Sequence, residues 1–145
     1  MSGFLLDTNV LSEFGRRGEP DRHVDNWLKT SEENLIFASV LTFGEIRRGI
    51  ELLSAGKRRT QLEQWQDELI ISFEDRLFPV TKSIADRWAV LSAQTQRCGI
   101  TLATIDGLIA ATALEYDLTL VTRNVKDFAV VAVPILNPWE FHQGF

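Results

Sequence analysis

Short apolar runs separated by longer amphipathic stretches constrain the fold of this chain more than any other feature. Phe4-Leu5-Leu6, Leu35-Ile36-Phe37-Ala38, Leu77-Phe78-Pro79-Val80 and Leu118 to Thr122 are each of strand length. The stretches between them carry apolar residues three and four apart, the period of an amphipathic helix. Strands alternating with helices predict an α/β fold: a mainly parallel sheet of about five strands, with helices on both faces.

The helical stretches read as follows. His23 to Leu28 forms a short helix with Val24, Trp27 and Leu28 inward. Ser39 is placed to cap a helix from Val40 to about Leu53, closed by Ser54-Ala55-Gly56. Phe43, Ile46, Ile50 and Leu53 make one stripe on it; Leu41, Glu45 and Leu52, with Gly49, make a second. Two stripes predict cover on two sides, with the Glu45 carboxylate on the second. Leu62, Trp65, Leu69 and Ile70 mark another helix, and Ile84, Trp88 and Leu91 one from Ser83 to Arg97 that Gly99 ends. Thr104 is expected to cap a helix from Ile105 to Tyr116. Pro79 puts the Leu77–Val80 strand at a sheet edge, and Val130 to Leu136, broken at Pro134, supplies a last short strand. With no repeat, linker or low-complexity segment, residues 1–145 read as one domain.

Composition narrows the class. Of 145 residues, 45% are hydrophobic and 24% charged, as in a soluble globular protein. Cys98, the only cysteine, allows no internal disulfide and reads as a small buried hydrophobe near a helix end. The opening Met1-Ser2-Gly3-Phe4-Leu5-Leu6 meets Asp7 too soon for a signal peptide, and no apolar run approaches a membrane span. A cytoplasmic protein with no membrane partner is expected. The formal net charge of −5 speaks against broad electrostatic attraction to nucleic acid. Basic residues nevertheless bunch at Arg16-Arg17, Arg47-Arg48 and Lys57-Arg58-Arg59, and acids gathered around a metal would inflate the negative count.

Carboxylates fall where an open parallel sheet builds its sites, beyond the carboxyl ends of its strands. Asp7 follows the first strand, Asn124 and Asp127 follow the strand ending at Thr122, and Asp106 lies in the first turn of a helix entering the same region. Glu45 sits on the helix after the second strand. Singly, Asp7 reads as a turn former, Asp106 as a residue favoured at a helix start, and Asp127 as a cap. Jointly they read as ligands of a hard cation, because several carboxylates stay ionised together only around positive charge. Mg²⁺ or Mn²⁺ takes oxygen ligands and keeps waters, so two or three carboxylates suffice. Zinc lacks a ligand set, since His23 and His142 are the only histidines and both are expected at the surface; no Gly-rich phosphate loop follows the first strand.

Four blocks of sequence resemble the PIN-domain ribonucleases. Phe4-Leu5-Leu6-Asp7-Thr8-Asn9 is similar to their first strand and its D-T-N turn. Glu45 in Thr42-Phe43-Gly44-Glu45-Ile46-Arg47-Arg48-Gly49 matches their second acidic position, and Asp106 before a small-residue helix the third. Leu120 to Phe128 resembles the fourth block, where Asn124 stands at an acidic position, and Leu136-Asn137-Pro138-Trp139 is similar to the FitB-like branch of the VapC toxins. The resemblance implies a three-layer PIN sandwich and an Mg²⁺-dependent endoribonuclease, with Mn²⁺ as substitute. It implies a metal held mainly by Asp7 and Asp106, Glu45 on the attacking water, Thr122 bonding a carboxylate or substrate oxygen, and Asn124 ligating without charge. Its implied partners are RNA, a second copy of the chain, and a VapB-like antitoxin that inserts a segment into the groove.

Two other readings compete. A phosphoacceptor role for Asp7 in a receiver-like or dehalogenase-like protein lacks its second aspartate, since Asn9 stands two residues on. An inactive PIN-like module that binds RNA or protein without cutting draws support from Asn124.

Overall fold

The structure, a computed structural model, describes residues 3–142; Met1 and Ser2 of the opening run lie outside the described residues. In chain order come β1 (Gly3–Leu6), α1 (Thr8–Glu13), α2 (Arg22–Thr30), β2 (Ile36–Ser39), α3 (Val40–Glu51), α4 (Lys57–Ser72), β3 (Leu77–Phe78), α5 (Lys82–Arg97), α6 (Thr104–Glu115), β4 (Leu118–Val121), α7 (Val125–Phe128) and β5 (Ile135–Leu136). Short 3₁₀ turns precede β2 at Glu33–Leu35 and follow β5 at Pro138–Glu140.

The five strands form one parallel sheet in the order β3-β2-β1-β4-β5, as the alternating pattern predicts. Successive side chains of a strand point to opposite faces, so β1 feeds two cores. Leu6 faces Val10, Trp27, Ile36, Phe43 and Val121, under α1 to α4. Leu5 faces Ile109, Ala110, Ala113, Leu118 and Leu120, under α6. The result is the expected three-layer α/β sandwich. Small residues on α6 let it lie close to the sheet, while α5 packs across its outer side.

Several local expectations change. Residues 8–13 are helical, where the sequence reads only as a turn, because Asp7 caps them and Val10 and Leu11 bury into the core. The second stripe of α3 is not covered along its length: Gly49 is exposed and Leu52 is 70% exposed, since α3 packs on α1 and α4 to one side. Cys98 is exposed, not buried, because it follows the last turn of α5 and the chain leaves it at Gly99, whose φ of 76° reverses the path. Thr104 opens α6 instead of capping it, and Ala103 holds the cap position without a side-chain bond. The last strand starts after Pro134 and keeps only Ile135–Leu136. His23 is half-buried, its Nδ1 2.8 Å from the Phe141 carbonyl oxygen, while His142 is exposed.

Candidate active site

The strand order reverses between β1 and β4, and this switch point opens a crevice at the strand ends. Asp7 is the first residue past β1. Its backbone N–H donates to the Val121 carbonyl at 2.9 Å, tying it to the end of β4. The side chain is 3% exposed and has three donors around it: Thr8 N at 2.8 Å on Oδ1, then Thr122 Oγ1 at 2.8 Å and Asn9 Nδ2 at 3.3 Å on Oδ2. A buried carboxylate requires such partners. Burial still pushes the Asp7 carboxyl above its ordinary range; the Thr122 and Thr8 bonds pull it down and the charge of Glu45 pushes it up.

Thr122 is fully buried and organises the crevice from the β4 side. Its hydroxyl donates to Asp7 and accepts from Asn124 N at 3.0 Å and Asn9 Nδ2 at 3.3 Å. Asn9 completes the link by accepting from Arg123 N at 3.1 Å. Glu45 comes in on α3, half-buried, and accepts a hydrogen bond from the Thr8 hydroxyl. Thr8 and Asn9 thus tie Glu45, Asp7 and Thr122 together, roles that a D-T-N turn in a sequence does not disclose.

Asp106 projects from the first turn of α6. Its carboxyl is pushed up to about 6, first by desolvation and then by the charges of Asp7, Glu45 and Asp127. Four carboxylates therefore share one electrostatic neighbourhood. Asp127 lines a cleft of about 200 Å³ with Asp106, Thr101, Leu102 and Ala103. Asn124 is exposed and stands at the cap of α7 with no side-chain capping bond. At the fourth acidic block, the structure therefore puts the Asp127 charge beside Asp106, and among the described residues Asn124 is hydrogen-bonded through its backbone alone.

The donor set fits a hard divalent cation. It is all oxygen, its charges repel, and it lacks histidine and thiolate. Among the described residues, no group of three or more His, Cys, Asp or Glu side chains is gathered closely enough to hold a metal ion. An open site with two carboxylates and several waters is the arrangement that suits Mg²⁺ or Mn²⁺. A separate apolar cavity of about 340 Å³, lined by Leu6, Leu11, Phe14, Leu28 and Phe73 among others, contains none of these groups. Among the described residues, no helix is long and apolar enough to cross a membrane.

The basic bunches are largely taken up internally. Arg16 pairs with Glu13 at 3.0 Å, Arg47 with Glu51 at 3.2 Å, and Arg59 with Glu51 and Glu63. Arg58 donates to the Gly15 carbonyl at 2.8 Å.

The family model of the PIN domain matches residues 4–134. The chain is 36% identical over 137 residues to the plasmid stability protein StbB of Pseudomonas syringae pv. tomato, covering 94% of this chain and 98% of that protein. It is 34% identical over 137 residues to the VapC ribonuclease Y4jK of Sinorhizobium fredii, covering 94% and 97%. The crystal structure of FitAcB from Neisseria gonorrhoeae superposes with a TM-score of 0.88 at 33% identity, over 95% of this chain and 99% of that one. PIN-domain ribonucleases as a family imply a divalent metal, in keeping with the oxygen-only donors. From its sheet order, its acidic blocks and these likenesses together, the chain belongs to the PIN-domain family, with the VapC ribonucleases and the FitB-type toxins.

Proposed function

We propose that this chain is an Mg²⁺-dependent endoribonuclease and the toxin half of a toxin–antitoxin pair. The observation that carries the reading is Asp7, held at the switch point by Thr122 and sharing its electrostatic neighbourhood with Asp106 and Glu45. Asp7 and Asp106 would hold the cation, which when bound supplies Lewis-acid activation of water and of the phosphodiester. Thr122 and Thr8 keep the Asp7 carboxylate aimed. Glu45, which accepts a hydrogen bond from the Thr8 hydroxyl, would orient the attacking water and accept its proton. Asp127 adds negative charge beside Asp106, and Asn124 offers a neutral carbonyl at the rim. RNA hydrolysis that appears with Mg²⁺ and disappears with a chelator is the expected result. RNA binding without cleavage under any divalent ion would leave a binding module instead.

The antitoxin reading rests on a cleft beside Glu45. Ile46, Ile50, Leu62 and Trp65 line about 220 Å³ there together with Thr8, Ser12 and Glu45, and Arg16 and Arg58, one paired with Glu13 and the other bonded to the Gly15 carbonyl, complete the wall. Such a cleft suits a short helix with apolar anchors and a basic side chain reaching toward Asp7 and Asp106. The solved structure of FitAB, 32% identical, is bound to a DNA fragment, and a Klebsiella pneumoniae neighbour, 27% identical, is a toxin–antitoxin complex. A homodimer is proposed on exposed apolar side chains such as Val90, Ile100 and Val130, and the mass in solution tests it. Co-purification with the product of the adjoining gene, with loss of RNA cleavage in the complex, tests the antitoxin.

A further inference from the structure

The Asn137-Pro138-Trp139 ending has no part in the chemistry so far, yet the structure brings it to the rim of the crevice. Thr122 N donates to the Leu136 carbonyl at 3.0 Å, so the end of β5 is in register with the end of β4. The chain then turns through Pro138–Glu140, fixed by Asn137 Oδ1 accepting from Trp139 N at 3.0 Å. Trp139 is half-buried and packs against the core under α1 to α4. Its outer face carries the Arg123 guanidinium, 4.9 Å from the ring centroid.

Arg123 is exposed and adjoins Thr122, and its backbone N–H is pinned to Asn9 Oδ1. Among the described residues, no carboxylate lies within ion-pair distance of it, although an acidic crevice is next door. Stacking uses the flat face of a guanidinium and leaves its edge N–H groups free. Those edge donors form the fork that matches a phosphate oxygen pair. Within the basic bunches Arg16, Arg47 and Arg59 are already paired with carboxylates, whereas Arg123, beside the crevice, is held by an aromatic face instead.

We propose that Arg123 binds a backbone phosphate of the RNA beside the scissile one, and that Trp139 is a positioning residue holding that guanidinium for it. This rests on the ribonuclease reading above. Trp139 acts by keeping the side chain from folding into the acidic crevice, where its charge would be spent on the carboxylates. The RNA then lies across the β4–β5 end of the crevice with one phosphate on Arg123 and the next among the carboxylates.

The test uses the cleavage-disabled Asp106→Asn protein and a dye-labelled single-stranded oligouridylate, with affinity measured across a salt series. Losing one phosphate contact lowers the slope of log affinity against log salt by about 0.7 for single strands. Arg123→Met should weaken binding and lower the slope by that amount, and Arg123→Lys should weaken binding while largely keeping the slope. Trp139→Leu should weaken binding in the Arg123 protein and have no further effect when combined with Arg123→Met, while Trp139→Tyr should restore affinity. Arg123 is exposed, so its variants keep the fold even if Trp139→Leu does not. An unchanged affinity and slope in Arg123→Met, with the parent binding RNA, overturns the inference and leaves the ribonuclease reading standing. The same holds if Arg123→Met loses only affinity for an antitoxin. A parent that neither binds the oligonucleotide nor, with Asp106 restored, cuts RNA overturns both.

Discussion

The Thr122 hydroxyl donates a 2.8 Å hydrogen bond to Asp7 across 115 residues of chain, joining the ends of the two central strands. The same oxygen accepts from Asn124 N and Asn9 Nδ2. Thr122→Val keeps the shape but takes a donor from the buried Asp7 carboxylate and an acceptor from Asn124 N and Asn9 Nδ2, costing about 1–3 kcal/mol. It also removes the donor that most strongly holds the Asp7 carboxyl down. Chemical denaturation should show the loss, and Thr122→Ser should recover both stability and RNA cleavage.

Asp106 gives the metal-free protein a pH signature. Its carboxyl ordinarily titrates near 3.8 and is pushed up to about 6 in the fold, so the folded state keeps the proton longer than the unfolded chain. The stabilising effect of that proton is complete below the lower value and is lost as pH rises through the upper one. Thermal melts with a chelator present should therefore show a fall in stability between about pH 4 and 6 that is smaller in Asp106→Asn, where only the raised Asp7 carboxyl still contributes. At pH 7 the metal-free Asp106→Asn protein should melt above the wild type, while added Mg²⁺ should raise the melting temperature of the wild type alone.

The fourth acidic block separates two residues three apart. The Asp127 charge acts on Asp106, and the side chain of Asn124 makes no capping bond. Calorimetric Mg²⁺ binding should weaken more in Asp127→Asn than in Asn124→Ala. Asn124→Asp, which adds a charge near the site, should strengthen it.

Two helical glycines should respond in opposite directions to alanine. A Cβ on Gly107 would lie 2.7 Å from Trp88 Cδ1 and 3.2 Å from Leu102 Cδ2, forcing α5 and α6 apart next to Asp106. Gly107→Ala should cost about 1–3 kcal/mol. A Cβ on Gly44 meets nothing within 4 Å, and Gly44→Ala should stabilise α3 by about 0.5–1 kcal/mol. Denaturant midpoints of the two variants check both.

How much of this was legible in the sequence depends on the range of the force involved. The strands could be read because their apolar runs are short and face cores on both sides, as Leu5 and Leu6 do. Asp7 after a strand, and Glu45 and Asp106 on helices, could be singled out as carboxylates in blocks resembling a known family. The helix α1 could not, because six residues hold too few turns to show a stripe, and its existence depends on Asp7 as cap and on packing against α3. Nor could the open second side of α3, since periodicity says which face is apolar and not whether a neighbour covers it. The approach of Asp127 to Asp106 depends on the four-residue turn of α7, and the Arg123–Trp139 contact on strand pairing. Both are products of tertiary geometry.

If Asp7 and Asp106 hold the divalent cation for RNA hydrolysis, cleavage must depend on both the ion and the Asp106 charge. Cleavage of a labelled single-stranded RNA by the wild type and by Asp106→Asn, with Mg²⁺ and with a chelator, tests it most directly. Asp106 is the cleaner substitution because it is less buried than Asp7 and makes no helix cap. The wild type should cut only with Mg²⁺, the chelator should abolish cutting, and a folded Asp106→Asn protein should be slower by more than about 100-fold. Wild-type rates from Asp106→Asn, or cutting that survives complete removal of divalent ions, would contradict that dependence.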